Sequence, residues 1–458
     1  MTPGLKKYPV SSDKIESVSC LLKGKPCLSN SAVIGNVVFL SGLSRIKKEK
    51  EKNNQGIRNQ TAGCLDSVKA ALEQAGSSLD NLVKLVILIK DSKSSPEMWG
   101  AIRRYFREYA PLLIKEPPAV TVIPVGGFLE PDCQVQIDSI AVLSKNGQGW
   151  KVKKYSSRHQ STRNHLSDLD SKARLSSDVV MVGNLLFFSG FSGENPHTGT
   201  VETPDFESQM DAGFERIREA FDLAGSSPCN IIKTLHMLTG LEDMLISSKD
   251  RNVSHSPASD RLWKRELEHY EMYAPELLED FPASTFLKLP ALETPGAKVE
   301  IDVTGVVSLD EPGWEVKKYP LYYGKRGFPR HIGEIKKYYS NTVVVGDIIF
   351  ISGQTPTDQF TGRIETDTFE EQVNVALYNL RLALEETGSS LSHLVKTYIL
   401  MPDNDHYPIF RTLEREYYKK YAPGLIKDPP ASTFIQPLNL ASPKMMIEID
   451  AIGYLPKR

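Results

Sequence analysis

The sequence predicts an α+β protein built from three tandem copies of one domain, because four short motifs recur three times in the same order. The first motif is an apolar run that closes in Ser-Gly, and its closing glycines are Gly42, Gly190 and Gly353. A Gly-Ser-Ser turn followed by a lysine, a Tyr-Ala-Pro and a closing Ile-Asp come after it in each copy. The interval of about 150 residues is too long for a solenoid repeat and suits a whole domain with its own core.

The copies are predicted to occupy residues 1–148, 149–312 and 313–458, and each opens near a Lys-Lys-Tyr. Copy two is fifteen residues longer than copies one and three between its second and third motifs. The added residues lie around 247–260, in a serine-rich polar run. Such a run predicts an insertion in a surface loop.

Copy three shows the predicted elements most clearly. Its β-branched runs at 342–345 and 348–351 flank Gly346-Asp347, which predicts a β-hairpin. Apolar residues at helical spacing over 368–386 predict an amphipathic helix. The elements that follow are a strand, a second helix and two strands, predicted at 394–400, 410–421, 431–435 and 446–452.

The element order β-β-(β)-α-β-α-β-β predicts a mixed sheet with both helices on one face. The other face of the sheet also has to be covered. Three copies in one chain can bury these faces against one another around a pseudo-threefold axis, as a closed ring. We therefore expect a monomer that forms an internal pseudo-trimer.

The composition is that of an ordinary globular protein, with 40% hydrophobic and 24% charged residues. A net charge of −2 gives no basic footprint, so nucleic acid is not an expected partner. The five cysteines form no CxxC pair, which favours free thiols in a reducing compartment. We read no signal peptide at the start and no run that approaches 18 apolar residues, so we expect a cytoplasmic protein without membrane contact.

Motifs for bound cofactors are not found in the sequence. It contains no metal-ligand spacing, phosphate loop or dinucleotide fingerprint, and we expect neither a metal nor a cofactor. Histidines, among them His236, fall at different places in the three copies. A small polar molecule is the expected ligand.

Several motifs occur together in copy three. They are Ser352-Gly353-Gln354, Thr361-Gly362, Gln372, the Gly-Ser-Ser and lysine block, Pro430-Ala431 and Ile447-Glu448-Ile449-Asp450-Ala451. In combination they resemble the RidA/YjgF (L-PSP, UK114) family. The resemblance covers nearly the whole chain and is strongest in copy three. It implies a chorismate-mutase-like (YjgF-type) fold that assembles as trimers, with a small-molecule cleft at each of three subunit interfaces. By this resemblance, the chain is such a trimer fused into one polypeptide.

Deaminases of this family hold the substrate carboxylate with an arginine that directly follows the Pro-Ala of the penultimate strand. A guanidinium can make a bidentate pair with a carboxylate, which explains the requirement for arginine. In this chain Val120, Ser284 and Ser432 stand there instead. The resemblance therefore implies weak activity on 2-imino acids. Arg411 shares its helix position with Trp99 and Trp263; it is either a replacement clamp or a solvated charge.

The glutamate that the family uses to handle a water corresponds to Glu300 and Glu448, and copy one has Gln136 instead. An edge residue alternating with buried Val and Ile would give the same pattern without catalysis. Recurring serines near the strand ends offer a second chemistry with the recurring lysines Lys84, Lys233 and Lys396, since a serine beside a deprotonated lysine is a nucleophile. The alternative is that the serine hydroxyls satisfy the strand ends. The serines are Ser29, Ser177 and Ser340 before the first strand and Ser41, Ser189 and Ser352 at the end of the second.

We expect the working cleft to involve copy three, which keeps the acid, the Ser-Gly-Gln and an aromatic residue before the serine. The predicted catalytic residues are Glu448, Glu300 and Ser352. The predicted ligand contacts are Tyr339, Ser340, Gly353, Gln354, Arg411, Ser432, Ser177, Ser189 and Ser284. The predicted function is hydrolysis of an imine, enamine or cyclic amide. The alternatives are a serine–lysine cyclic amide hydrolase and a non-catalytic member that binds a metabolite or a protein.

Overall fold

The computed structural model describes residues 4–10, 28–44, 56–144, 150–157, 174–195, 198–240, 257–323 and 335–457. The insertion predicted around 247–260 falls mostly on residues outside these ranges. It therefore stays a prediction.

The three copies contain the same succession of strands and helices, except that copy two has one additional short strand, β10. Copy one has β1 (Lys6–Pro9), β2 (Ser29–Ile34), β3 (Val37–Leu40), α1 (Ile57–Ala75), β4 (Leu82–Ile89), α2 (Ser95–Tyr109), β5 (Ala119–Pro124) and β6 (Val135–Val142). Copy two has β7 (Val152–Tyr155), β8 (Val179–Val182), β9 (Leu185–Phe188), β10 (Phe191–Ser192), α3 (Phe206–Ala224), β11 (Ile231–Leu238), α4 (Pro257–Tyr273), β12 (Ala283–Lys288) and β13 (Val299–Val306). Copy three has β14 (Val316–Tyr323), β15 (Ile335–Val345), β16 (Ile348–Gln354), α5 (Phe369–Glu386), β17 (Leu394–Leu400), α6 (Tyr407–Tyr421), β18 (Ala431–Ile435) and β19 (Glu448–Tyr454).

The elements predicted for copy three are confirmed. The hairpin of β15 and β16 turns at Gly346, whose φ of 57° lies in the left-handed region that glycine tolerates. Thr368 caps α5, because its side chain accepts a hydrogen bond from the amide of Glu371. The Lys-Lys-Tyr segments form an additional first strand in each copy.

Each copy folds into a mixed sheet with both helices on one face. In copy one the strand order is β1-β2-β3-β6-β4-β5, and all neighbouring strands are antiparallel except the parallel pair β4 and β5. Residues of α1 and α2, such as Leu65 and Ile102, pack with Leu85 and Ile137 of the sheet in one buried cluster. Burial of such apolar side chains is the main stabilising contribution to each copy.

The copies contact one another in cyclic order through parallel backbone pairing. Ala119 of copy one pairs with Ser177 of copy two, and Ala283 of copy two pairs with Ser340 of copy three. Ala431 of copy three then pairs with Ser29 of copy one. We call these contacts the first, second and third junctions in that order. The ring is therefore closed within one chain.

The sheet faces opposite the helices meet inside this ring. One buried cluster contains residues of all three copies, including Phe39, Phe187 and Phe350. Next to it lies a central cavity of about 100 Å³, lined mainly by apolar side chains from all three copies. The sheet face that no helix covers is thus covered by the neighbouring copies.

A buried ion pair crosses each junction and joins two of the recurring motifs. The Nζ atoms of Lys84 and Lys233 each lie 2.6 Å from an Asp Oδ2 of the next copy, and the three pairs are Lys84–Asp302, Lys233–Asp450 and Lys396–Asp138. Each lysine also donates to the backbone carbonyl before a strand-end serine. The recurring lysine and the closing Ile-Asp therefore serve to hold the copies together.

Candidate functional site

Each junction places a strand-end serine of one copy against the strand that follows Pro-Ala in the preceding copy. At the second junction, Ser352 Oγ accepts a hydrogen bond of 2.8 Å from the amide of Ser284 and donates one of 2.6 Å to the carbonyl of Ser340. Ser340 Oγ donates to the carbonyl of Phe281. The equivalent bonds at the first and third junctions involve Ser177, Ser189, Ser29 and Ser41.

These contacts contradict the serine–lysine pair considered from the sequence. The hydroxyl of Ser352 is fully buried and donates to a backbone carbonyl, which cannot take up its proton, so Ser352 is not placed as the predicted catalytic nucleophile. The lysines are instead paired with aspartates of the neighbouring copies. Ser177, Ser189 and Ser340 are likewise committed to backbone groups rather than directed at a ligand.

Glu448 lies at the second junction, against the backbone of Gly353. A β-carbon at Gly353 would overlap the carboxylate of Glu448, so only glycine leaves room for this acid. Glu448 is 3% exposed, and its Oε2 has no hydrogen-bond partner among the described residues. Burial, with a smaller contribution from Asp450 and against the opposing effect of Lys233, raises the pKa of Glu448 to about 8.

Glu300 occupies the same position at the first junction, against Gly190. Burial raises the pKa of Glu300 to about 8 as well, with Arg174 opposing the shift and Glu293 adding to it. At the third junction the acid is absent, because Gln136 lies against Gly42. The predicted loss of the acid in copy one therefore leaves two junctions with a buried carboxyl.

Arg174 brings a guanidinium into the first junction, which the sequence did not indicate. It donates to the backbone carbonyls of Val120 and Gly190, and its Nη1 lies 3.6 Å from Glu293 Oε2. Glu293 in turn accepts a hydrogen bond of 2.7 Å from the indole of Trp99. The charge of Arg174 is therefore balanced within the junction. No motif pointed to Arg174. It reaches the first junction from the segment before β8, whereas the family arginine directly follows Pro-Ala, where copy one has Val120.

Arg411 does not replace the missing clamp, and it is not solvated. It is 2% exposed and donates to Glu414 at 2.6 Å, to the hydroxyl of Tyr407 and to Ser432 Oγ. Glu414 pairs with this buried guanidinium, so Arg411 is not placed to bind a ligand carboxylate. Its hydrogen bonds hold α6 against β18 instead.

The predicted copy-three site is split between two junctions. Ser432 and Arg411 lie at the third junction, where a small cavity of about 20 Å³ is lined by Gly42, Gln136 and Ser432 among others. Glu448 and Gly353 lie at the second junction with Ser284 of copy two. Ser432 therefore does not share a site with Glu448, because the penultimate strand of each copy serves the junction with the next copy.

Two further predicted contacts lie at or near the second junction. The ring of Tyr339 lies 6.5 Å from that of Trp263 in copy two, between ring centroids. Gln354 is buried, and its side-chain amide donates to Asn341 and to the carbonyl of Ser352. Tyr339 can therefore border a ligand, whereas Gln354 supports the backbone of the strand end.

The described ranges contain no candidate metal site and no candidate membrane-spanning helix. No three His, Cys, Asp or Glu side chains there lie together in a way that could hold a metal ion. Within the same ranges, no helix combines the length and the apolar character that a membrane span needs.

Comparison with known proteins agrees with the repeated motifs. A family model described as Endoribonuclease L-PSP matches the chain three times, at residues 27–143, 166–307 and 332–455. The chain belongs to the Endoribonuclease L-PSP family. The three matches correspond to the three copies and confirm the resemblance to the RidA/YjgF proteins.

Curated L-PSP relatives align with part of the chain. A RutC family protein of Pyrococcus abyssi is 32% identical over 127 residues, which are 28% of this chain and 90% of that protein. The 2-iminobutanoate/2-iminopropanoate deaminase of Homo sapiens is 29% identical over 86 residues, which are 19% of this chain and 63% of the deaminase. Some members of the family are therefore imine deaminases.

Solved structures that resemble this chain each match about one copy of it. A Thermotoga maritima protein is 29% identical with a TM-score of 0.25, over 31% of this chain and 99% of its own. TdcF of E. coli, solved with bound serine, is 20% identical with a TM-score of 0.25, over 31% of this chain and 100% of its own.

Proposed function

We propose that the protein is a hydrolase of small polar molecules, which adds water to a C=N or C=O bond at the second junction with Glu448 as general acid and base. The observation that carries this proposal is the buried carboxyl of Glu448, which lies on Gly353 with one oxygen unbonded among the described residues. Burying a carboxyl without a charged partner costs free energy. A role in function explains why the protein keeps such a group better than a purely structural role does.

The proposed reaction uses the proton that Glu448 retains at neutral pH. Since its pKa is raised to about 8, Glu448 can donate that proton to the nitrogen of an imine as water approaches the carbon. The carboxylate that remains then accepts a proton from the attacking water. Collapse of the carbinolamine releases ammonia and leaves the carbonyl product. The activity in the name of the human relative supports this reaction type.

The residue at the position of the family arginine favours an uncharged substrate. Ser284 stands there at the second junction and offers a single hydroxyl in place of a bidentate cation. A neutral enamine, imine or cyclic amide avoids the cost of burying an unpaired carboxylate beside Glu448. Tyr339 and Trp263 provide aromatic surface at the same junction for the apolar part of such a molecule.

The test compares the two buried acids on one panel of substrates. Wild type, Glu448→Gln and Glu300→Gln are assayed for ammonia release from imines and enamines and for ring opening of neutral cyclic amides. We expect Glu448→Gln to lower kcat/KM about 100- to 10,000-fold, the usual contribution of a general acid–base group. We expect Glu300→Gln to retain the larger part of the activity.

Two outcomes would contradict the proposal. Loss of turnover in Glu300→Gln with full activity in Glu448→Gln would move the working site to the first junction. Binding of panel compounds without turnover by the wild type would favour the non-catalytic member instead, and a shift in thermal melting would detect that binding.

A further inference from the structure

Copy two places a serine, a histidine and a glutamate in one hydrogen-bonded row that ends at the second junction. Ser284 Oγ lies 3.3 Å from His236 Nδ1, and His236 Nε2 lies 3.0 Å from Glu266 Oε1. His236 is 0% exposed and Glu266 4%, whereas Ser284 is half-buried. A half-buried serine, backed by a buried imidazole and a buried carboxylate, is the arrangement that activates a serine nucleophile.

The strand register and the helix face bring these side chains together. β11 and β12 are parallel, with Thr234 directly beside Ser284. Because side chains alternate along β11, Thr234 and His236 share the face opposite to Lys233, which lines the central cavity. On α4, Glu266 lies on the face that reaches His236.

The hydrogen bonds around the row favour one assignment of its protons. Tyr270 Oη donates to Glu266 Oε1 at 2.8 Å, and burial raises the pKa of Tyr270 well above its usual value, so it remains a donor. Glu266 then accepts the Nε2 proton of His236, which leaves Nδ1 free to accept from Ser284. Thr234 Oγ1 donates to Ser284 Oγ at 3.2 Å and completes the row.

The equivalent positions in the other copies do not form this row. Copy one has Val120, Ile87 and Ile102 in place of the serine, histidine and glutamate. Copy three has Ser432 and Glu414 but Ile399 in place of the histidine, and Arg411 donates to Ser432 Oγ. The strand-end bonding of the junctions therefore does not require His236, since the first and third junctions keep it without a histidine.

We propose that Ser284 is the nucleophile of an acyl-transfer site for small uncharged esters or amides, with His236 as the general base and Glu266 as a positioning residue. This activity goes beyond the hydration proposed above, because its first step forms a covalent bond to the protein.

In the first step Ser284 Oγ bonds to the acyl carbon, its proton passes to His236 Nδ1, and the C=O π pair moves onto the oxygen. When the C=O bond re-forms, the bond to the alcohol or amine breaks, and that leaving group takes the proton from His236. Water then attacks the acyl-serine ester by the same route, which yields the carboxylic acid and restores Ser284.

The developing oxyanion needs a hydrogen-bond donor near Ser284. The amide of Ser284 already donates to Ser352 Oγ. Glu448 lies on Gly353, the residue after Ser352, and its Oε2 is unbonded among the described side chains. The proposal assigns this carboxyl, in its protonated form, as the donor to the oxyanion.

The test labels the full-length chain with a fluorophosphonate probe and locates the modified residue by tandem mass spectrometry. We expect one label per chain, on Ser284. Ser284→Ala should abolish labelling, whereas Ser432→Ala, the equivalent serine at the third junction, should label like the wild type. A label on a different residue, or none on protein with an intact thermal melt, would overturn the proposal.

A burst assay with p-nitrophenyl acetate tests the other members of the row. We expect about one equivalent of p-nitrophenol per chain in the burst. His236→Gln should slow acylation about 100- to 10,000-fold. Glu266→Gln should lower kcat without raising KM, since it keeps the shape of the side chain and removes its charge. Acylation at the wild-type rate in folded His236→Gln would contradict the proposal.

The two proposals can fail separately. Glu448→Gln should lose the hydration activity yet still become labelled on Ser284, more slowly than the wild type. Hydration that depends on Glu448 with no labelling of Ser284 would reject the acyl-transfer site alone.

Discussion

Buried charged groups at the junctions follow two different patterns. Lys396 and Asp138 are both buried and form a pair, so each charge compensates the other. Glu448 and Glu300 are buried too, and burial raises the pKa of each to about 8. A paired ion holds the fold together, whereas a carboxyl that retains its proton is suited to proton transfer.

The raised pKa of Glu448 predicts that stability falls as the pH rises. Between its usual value of 4.5 and about 8, the folded state binds a proton that the unfolded state has released. The unfolding free energy therefore decreases with pH in this window, by at most about 1.4 kcal/mol per pH unit for each such carboxyl. Urea unfolding between pH 5 and 8.5 should show a smaller slope for Glu448→Gln, and the same slope as the wild type for the exposed control Glu73→Gln. An unchanged slope in Glu448→Gln would contradict the assignment.

The serine at position 284 predicts weak turnover of 2-iminopropanoate by the wild type. Absence of a charged bidentate contact costs about 2–5 kcal/mol, or about 30- to several-thousand-fold in rate. Ser284→Arg restores the family residue and should raise kcat/KM for this anion. Since Arg411 is bound to Glu414, its replacement should lower stability but should not alter that rate in the protein that remains folded. Rapid wild-type turnover that depends on Arg411 would show that Arg411 binds the substrate carboxylate despite its pairing with Glu414.

In each copy, the glycine of the Ser-Gly motif lies against a side chain of the last strand. Gly353 in β16 lies directly under the carboxyl of Glu448 in β19, and Gly190 lies in the same way under Glu300. This contact explains why the Ser-Gly motif recurs. It also fixes the position of the acid relative to the preceding copy.

Replacement of Gly353 by alanine should therefore displace Glu448. We expect a loss of about 1–3 kcal/mol in stability from overpacking, together with loss of hydration activity. Gly100→Ala is the matched control, because a β-carbon at this position of α2 meets nothing within 4 Å and should stabilise the helix by about 0.5–1 kcal/mol. Gly353→Ala combined with Glu448→Ala should regain stability without activity. Full hydration activity in Gly353→Ala would show that catalysis does not depend on the position of Glu448 against Gly353.

The ion pairs between strands of neighbouring copies predict a large cost when one partner is removed. Lys396→Met leaves Asp138 buried without its cation and should lose about 3–5 kcal/mol in chemical unfolding. Lys396→Met with Asp138→Leu should recover much of this loss. Lys457→Ala removes a surface pair with Asp347, in which the lysine side chain is 65% exposed, and should cost less than about 1 kcal/mol. A similar small cost for Lys396→Met would contradict the role of the pair.

Elements were predictable from the sequence where all three copies repeat the same pattern. The hairpin at Gly346, the helix after Thr368 and the strand Leu394–Leu400 follow from local periodicity and turn residues. The recurring lysines and aspartates were recognised as motifs, but their pairing was not. Each pair joins residues of different copies, and one sequence alone does not give that register.

The candidate site was predictable only in part for the same reason. Glu448 and Gly353 were identified because they match the family motifs. Ser432 was grouped with them although it faces the third junction. His236 was set aside because it does not recur. The failure to recur was itself the signal. His236 is a polar residue on a buried strand, and the other copies have Ile87 and Ile399 at its position.

The whole molecule is a ring in which three related junctions carry different chemistry. The first holds Glu300 with Arg174, the second Glu448 with Ser284, and the third Gln136 in place of an acid. Fusion of the copies allows this divergence, since a trimer of identical chains would repeat one junction three times.

Closure of the ring within one chain is the central claim, and the solution mass tests it most directly. All three places in the ring are filled by the copies of a single polypeptide, so multi-angle light scattering should give one chain of 51.1 kDa. The mass should stay constant on dilution, because the junctions are intramolecular. A trimer of chains, with three times this mass, would contradict the claim.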